Sequence, residues 1–333
     1  MSAKAKFTNA LIIAAVATLS LSSAAAQSDK IKTESGATPK AAGGADAKSA
    51  AGDVLDRSKV LRAAADALGM LRWSDVGAER TRLPAVDVVN RMEIWGSGTS
   101  YGFGEANKSG APGPASKIEY HVALGYNPPA MRVEMTRAST GGTQPAEGTP
   151  HTIQTVRDNY AWNESESGAG LEPGRGTATP VMAAVRERLL QLWILPYGVV
   201  KAAIAAGDKT KVSSENGATI IMFPLSGQLA GVTVRATMDA RSFVTKVETE
   251  TNNPAMGDLV MEADYSDYAD HGEILSDLKS PGHIVEKQGG RQLLDIQVKM
   301  ADLNNPYLVF PVPDNVKKAS AQEPVAVKGD ATR

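Results

Sequence analysis

Between residues 118 and 136 the chain alternates with a period of two. Ile118, Tyr120, Val122 and Leu124 are interleaved with Glu119, His121 and Ala123, and Met131, Val133 and Met135 with Arg132, Glu134 and Thr136. Successive side chains on a strand point to opposite faces, so this pattern predicts two strands with one apolar and one charged face. Gly125-Tyr126-Asn127-Pro128-Pro129 lies between them and predicts the turn of a hairpin. Such a hairpin must bury its apolar face against a second layer, which rules out an all-helical fold.

Similar segments recur at 153–156 and 160–163, and then at 218–223, 232–238, 243–250, 259–265, 283–287 and 293–300. Asp158-Asn159, Asp239-Ala240-Arg241-Ser242, Asn252-Asn253-Pro254 and Gly289-Gly290 supply turn chemistry between several of them. Two helical regions interrupt the series. Val54, Leu55, Val60, Leu61, Ala64, Ala65 and Leu68 recur at helical spacing, with Asp53 as the expected N-cap and Gly69 as the stop. Pro180 suits a first helical position ahead of Val181, Val185, Leu189, Leu192 and Trp193, Pro196 and Gly198 break that helix, and 199–206 forms a second. About ten short strands with two helical inserts predict an α+β class with a mostly antiparallel sheet. No alternating strand–helix repeat supports a doubly wound nucleotide fold.

The first 26 residues constrain destination. Lys4 and Lys6 precede an apolar run over 10–21, and small residues ending in Ala24-Ala25-Ala26 follow. This is the three-part pattern of a secretory signal peptide, with cleavage expected after Ala26. The apolar run is shorter than the roughly 20 residues a spanning helix needs, so cleavage is favoured over an uncleaved anchor. Export to the periplasm or beyond, in a Gram-negative-type bacterium, is the expectation. Residues 27–52, rich in Ala, Gly, Ser and Lys, read as a disordered tether, 53–316 as a single domain, and 317–333 as a polar, disordered tail.

The sequence has no cysteine. Disulfides, Cys nucleophiles and Cys-ligated metals are excluded, as is a lipid-modified cysteine after the leader, so the mature chain is expected to be soluble and not a lipoprotein. Removing residues 1–26, which carry two lysines and no acid, takes the formal charge from −2 to −4. Without a basic cluster, nucleic acid is an unsuitable partner.

Motifs for chemistry are scarce. His121, His151, His271 and His283 show no metal-binding spacing. Glu262, Asp264, Asp267, Asp270 and Glu273 lack the alternating pattern of a calcium loop. The glycines from Trp95 to Gly110 are not followed by a phosphate-binding Lys-Ser/Thr, and read as bulges or bends of a curved sheet. Gly96-Ser97-Gly98 lacks a nucleophile-elbow frame, and Ser276-Asp277-Leu278-Lys279 lacks the companion motifs of a penicillin-recognising site. A carboxylate pair for glycoside hydrolysis stays open, because acids are numerous and their pairing is not encoded locally. No catalytic residue, metal or cofactor is expected. What stands out instead is a set of large soft side chains: Trp95, Tyr101, Phe103, Met131, Met135, Trp162, Trp193 and Phe223. In a closed core they are filling. In a curved sheet only partly covered by helices they would line an apolar groove for acyl chains or another hydrophobic partner.

Two stretches carry a family resemblance. One is 94–120, with GSGTSYGFGEANKSG followed by SKIEYHV; the other is 231–303, with GVTVRATMDARSFVTKVET, YSDY and HIVEKQGGRQLLDIQVKMADLN, followed by Asn305-Pro306. Together they resemble the N-terminal module that precedes the metallo-β-lactamase-fold domain in certain exported bacterial hydrolases. That module is similar to the lipoprotein-localisation carrier fold, a curved antiparallel half-barrel with helices across its concave face. The resemblance implies such a half-barrel and a non-enzymatic, carrier-like role toward a lipid or acylated peptide. The metal-binding histidine cluster of the hydrolase domain is absent, so no catalytic residue carries over, and the stretch 271–281 is longer than the resemblance implies. An accessory module docking a partner, such as a separate metallo-β-lactamase-fold hydrolase, is the alternative.

Overall fold

A computed structural model describes residues 55–74, 81–84, 89–101, 115–137, 151–251, 260–270 and 278–322. The expected leader with its cleavage point at Ala26, the tether, Asp53, Phe103 and the turn at Asn252-Asn253-Pro254 lie outside the described residues.

Helix α1 (Arg57–Ala67) begins at Asp56 rather than at the expected Asp53. The Asp56 carboxylate accepts hydrogen bonds from the Ser58 and Lys59 backbone N–H groups, satisfying two otherwise orphaned donors. Gly69, at φ +74°, turns the chain out of the helix. A two-stranded ribbon follows, β1 (Leu71–Ser74) with β2 (Thr81–Pro84).

All later strands among the described residues join one antiparallel sheet of thirteen. The first meander is β3 (Arg91–Tyr101), β4 (Ala115–Tyr126), β5 (Pro129–Arg137), β6 (His151–Arg157), β7 (Tyr160–Glu164) and β8 (Ala178–Pro180). Helices α2 (Val185–Ile194) and α3 (Pro196–Ala206) come next. The second meander is β9 (Lys211–Glu215), β10 (Ala218–Pro224), β11 (Val232–Met238), β12 (Val244–Thr251), β13 (Met261–Ser266), β14 (His283–Gln288) and β15 (Arg291–Leu303), and α4 (Asp314–Gln322) ends the described chain. The order across the sheet is β8-β7-β6-β5-β4-β3-β15-β14-β13-β12-β11-β10-β9. The first meander runs outward from a central seam between β3 and β15, the second runs inward from β9 to that seam, and the sheet is open at β8 and β9.

This topology makes the sheet curve. The chain leaves one edge at Pro180 and re-enters the other at Lys211. Twelve inter-strand gaps of about 4.8 Å would make a flat sheet roughly 58 Å wide. Helices α2 and α3 are only about 15 and 17 Å long, and the two arms bend by 95° at their junction. They connect the edges because the sheet curls around them into a half-barrel-like trough. Tyr197, Val199, Val200 and Ala203 of α3 are fully buried, which explains its apolar composition. At the bend Gly198 is required, since a Cβ there would press on the Leu192 carbonyl oxygen. No single described helix is long and apolar enough to cross a membrane.

The glycines of β3 mark the seam. Gly96 and Gly98 lie opposite Val298 and Ile296 of β15, and a Cβ at Gly98 would overlap the Asp295 carbonyl oxygen. They are close-approach glycines within a strand.

The sheet has more strands than the about ten expected from patterning. Edge strand β9 (KVSSE) is almost wholly exposed, so it carries no apolar alternation, and β8 is three residues long. The tail expected to be disordered from Lys317 is helical as far as Gln322. It is held by fully buried Val316, which packs on Trp162 and Ala178, and by Asn315, whose side-chain amide donates to the Ala178 carbonyl at 2.6 Å.

Candidate functional site

On the concave face the strands turn in Ile94, Val122, Val133 and Ile284 beneath α2 and α3. Helix α2 is tied down at both ends. Buried Arg188 donates from Nη1 to the Thr155 and Trp162 carbonyls at 3.0 and 2.8 Å, and from Nη2 to Asn163 Oδ1 at 2.7 Å. Burial lowers its pKa to about 10, so the guanidinium stays charged at neutral pH. At the other end the Tyr265 hydroxyl donates to the Ile194 carbonyl at 3.0 Å, meeting an acceptor left over at the helix C-terminus.

Between these ties α2 does not reach the sheet everywhere. A cavity of about 50 Å³ remains, walled by Ile94, Val122, Met131, Val133 and Met135 on one side and by Leu195, Ile284 and Leu294 on the other. At roughly 10–15 Å³ per water it has room for a few waters, or a small group of atoms. Tyr120, Gln154, Gln191 and Glu286 bring polar groups to its wall. Glu286 sits on β14 at the inward register shared with Ile284, a position the alternation reserves for an apolar side chain. It is 6% exposed. Burial raises its carboxyl to a pKa of about 7, and neither Tyr120, Gln154 nor Gln191 hydrogen-bonds to it. Tyr120 and Tyr265, which feel its charge, have hydroxyls pushed far above their usual range by burial and remain protonated.

The eight large side chains singled out in the sequence separate into four groups. Met131 and Met135 line the cavity. Phe223 is sealed in the core, and Trp193 packs against Tyr126 with ring centroids 5.6 Å apart. Trp95, Tyr101 and Trp162 project from the opposite face of the sheet, so they do not line the groove. Trp95 and Tyr101 share the register of Glu93, one residue out of phase with inward Ile94. Trp95 stacks on His121 at 4.8 Å and 7°. Trp162 lies under α4 and donates from Nε1 to Glu164 Oε1 at 2.9 Å. Phe103 is outside the described residues.

The missed residues had a readable signal. Val156 is buried in the central core, so Gln154 two positions away shares its face; Ile284 implies Glu286 in the same way.

The convex face carries the remaining polar clusters. Glu93, His121, Glu134 and His151 form a row across β3 to β6. His121 Nε2 is 3.2 Å from Glu93 Oε1, His121 Nδ1 is 3.8 Å from Glu134 Oε2, and His151 Nε2 is 2.7 Å from Glu134 Oε1. Burial alone would lower the His121 pKa, but Glu134 and Glu93 together outweigh it and raise it. His121 holds Glu134 below its usual value, against burial and with help from His151. Glu164 accepts hydrogen bonds from Thr155, Trp162 and the Gly168 N–H, with Arg132 Nε at 3.5 Å. In the acidic stretch, Asp264 pairs with Lys287 at 2.8 Å and Glu262 lies 3.9 Å from Lys246, so these acids face cross-strand lysines.

No protein-family model matches the chain, and no curated protein matches it either.

Proposed function

We propose that the chain is an exported, non-enzymatic binding protein that shelters a hydrophobic ligand, such as a lipid or the acyl part of a peptide, between α2 and the sheet. The observation carrying this reading is the cavity beneath α2, with Met131 and Met135 in its wall. Methionine adapts its shape to a guest at low conformational cost. Ligand pockets usually reach about 300–1,000 Å³, so a lipid-sized guest enters by lifting α2 and widening the space already present. The leader pattern in residues 1–26 and the resemblance to the lipoprotein-localisation carrier fold support the same reading.

The mature protein, purified without detergent, is expected to yield a lipid on organic extraction. After delipidation it should raise the emission of a naphthylamine probe, and added lipid should reverse the rise. A delipidated protein that leaves the probe unchanged, from a preparation that carried no lipid, overturns the proposal. A second reading, an accessory module docking a partner such as a metallo-β-lactamase-fold hydrolase, draws on Tyr307 and Val309. They stand 88% and 62% exposed on the segment between β15 and α4. Large exposed apolar side chains close together mark contact surfaces.

A further inference from the structure

We infer that the guest of this cavity is a cationic amphiphile, an apolar body ending in an amine, with the ammonium group seated on Glu286. The inference rests on the binding reading above and narrows its ligand class. Glu286 is more than nine-tenths buried and borders the cavity. No Lys, Arg or His belongs to the cavity wall among the described residues, so the wall supplies no counter-charge. A buried carboxylate is costly unless paired, and a ligand cation removes that cost while its apolar body covers Ile94, Val122 and Met131.

The other polar groups in the wall suit the same guest. The amide oxygens of Gln154 and Gln191 can accept the remaining ammonium hydrogens. Tyr120 brings to the wall an aromatic ring, a group that attracts cations. A fatty acid would bring a second carboxylate to an acid without a cation, and a neutral alcohol would leave the Glu286 charge uncompensated.

The sign of the pH effect follows from Glu286. The titratable groups facing it, Tyr120 and Tyr265, stay protonated, so Glu286 alone changes charge near neutrality. An alkylamine, like a lysine side chain, stays cationic below about pH 10. Amine binding should therefore strengthen as pH rises through about 7.

Calorimetric titration of the delipidated mature protein with octylamine, 1-octanol and octanoate, at about pH 6 and about pH 8.5, tests this. Octylamine should bind roughly tenfold or more tightly than octanol at the higher pH, and lose much of that advantage at the lower. Glu286→Gln, checked for folding by circular dichroism, should abolish both the preference and its pH dependence. The wild-type pH profile stands as a test without any variant. Equal binding of octanol and octylamine, or preferred binding of octanoate, overturns the amine inference and leaves the hydrophobic-cavity reading standing. Binding of none of the three overturns both.

Discussion

Glu286 is the residue at which this molecule gives up stability for a polar group in an apolar place. Burial raises its carboxyl from an ordinary 4.5 to about 7, so the folded state binds a proton that the unfolded state releases. Stability is then highest below about pH 4.5, falls as pH rises through about 7, and is level above that, a loss of about 3 kcal/mol from this group alone. Glu286→Gln keeps the shape and removes the ionisation. Chemical denaturation should find the variant more stable than the parent by up to about 3 kcal/mol at pH 8, with the two converging below about pH 4.5. Parallel stability curves for the two proteins across that range would refute the assignment. The sequence already marks this residue, because in HIVEKQ the inward register of Ile284 passes to position 286. The same alternation places Trp95 outward, opposite Ile94, so size and softness alone misled where register would have decided.

At the scale of elements, α2 is held by a few polar ties as well as by its apolar side, and Arg188 is the strongest of them. Its guanidinium serves two backbone carbonyls, of Thr155 and Trp162, and the Asn163 side chain. Arg188→Met should fill much of the same space but leave these acceptors without donors, costing about 2–4 kcal/mol. Hydrogen exchange should then quicken first in 185–194, with the distant β11 and β12 protected for longer; unchanged exchange in α2 would show that packing alone holds it. Elements were legible wherever one face is wetter and the other dry, as in β11 and β13, because burial imposes the period directly. Strand β9 and helix α4 escaped, the first because it is an exposed edge. The second escaped because Val316 is, among its described side chains, the one fully buried. Arg188 lies three residues from Val185 and four from Leu192, on the apolar side of its helix, a placement that predicts a buried charge with partners.

For the whole molecule, the decisive contact joins two strands that the chain separates by most of its length. The pairing of β3 with β15 turns two meanders into one sheet, and neither local alternation nor turn chemistry encodes which distant strand a seam will choose. The glycines are its local trace, since Gly98 sits where a Cβ would meet the Asp295 carbonyl. With the seam in place, the outer edges β8 and β9 are linked only through α2 and α3 across the trough, so seam and helices share the curvature between them. Gly98→Val should therefore act on the whole sheet rather than on one strand. Pushing β3 from β15 is expected to cost about 3 kcal/mol and to lower the melting temperature by roughly 6–12 °C for a chain of this size. Far-UV circular dichroism and tryptophan emission should fall together at the lower temperature, because Trp95 beside the seam, Trp162 under α4 and Trp193 on α2 report on both meanders and the helical layer. Two separate transitions, with only one signal displaced, would mean that the meanders are stable without each other and that the seam is a joint between independent halves.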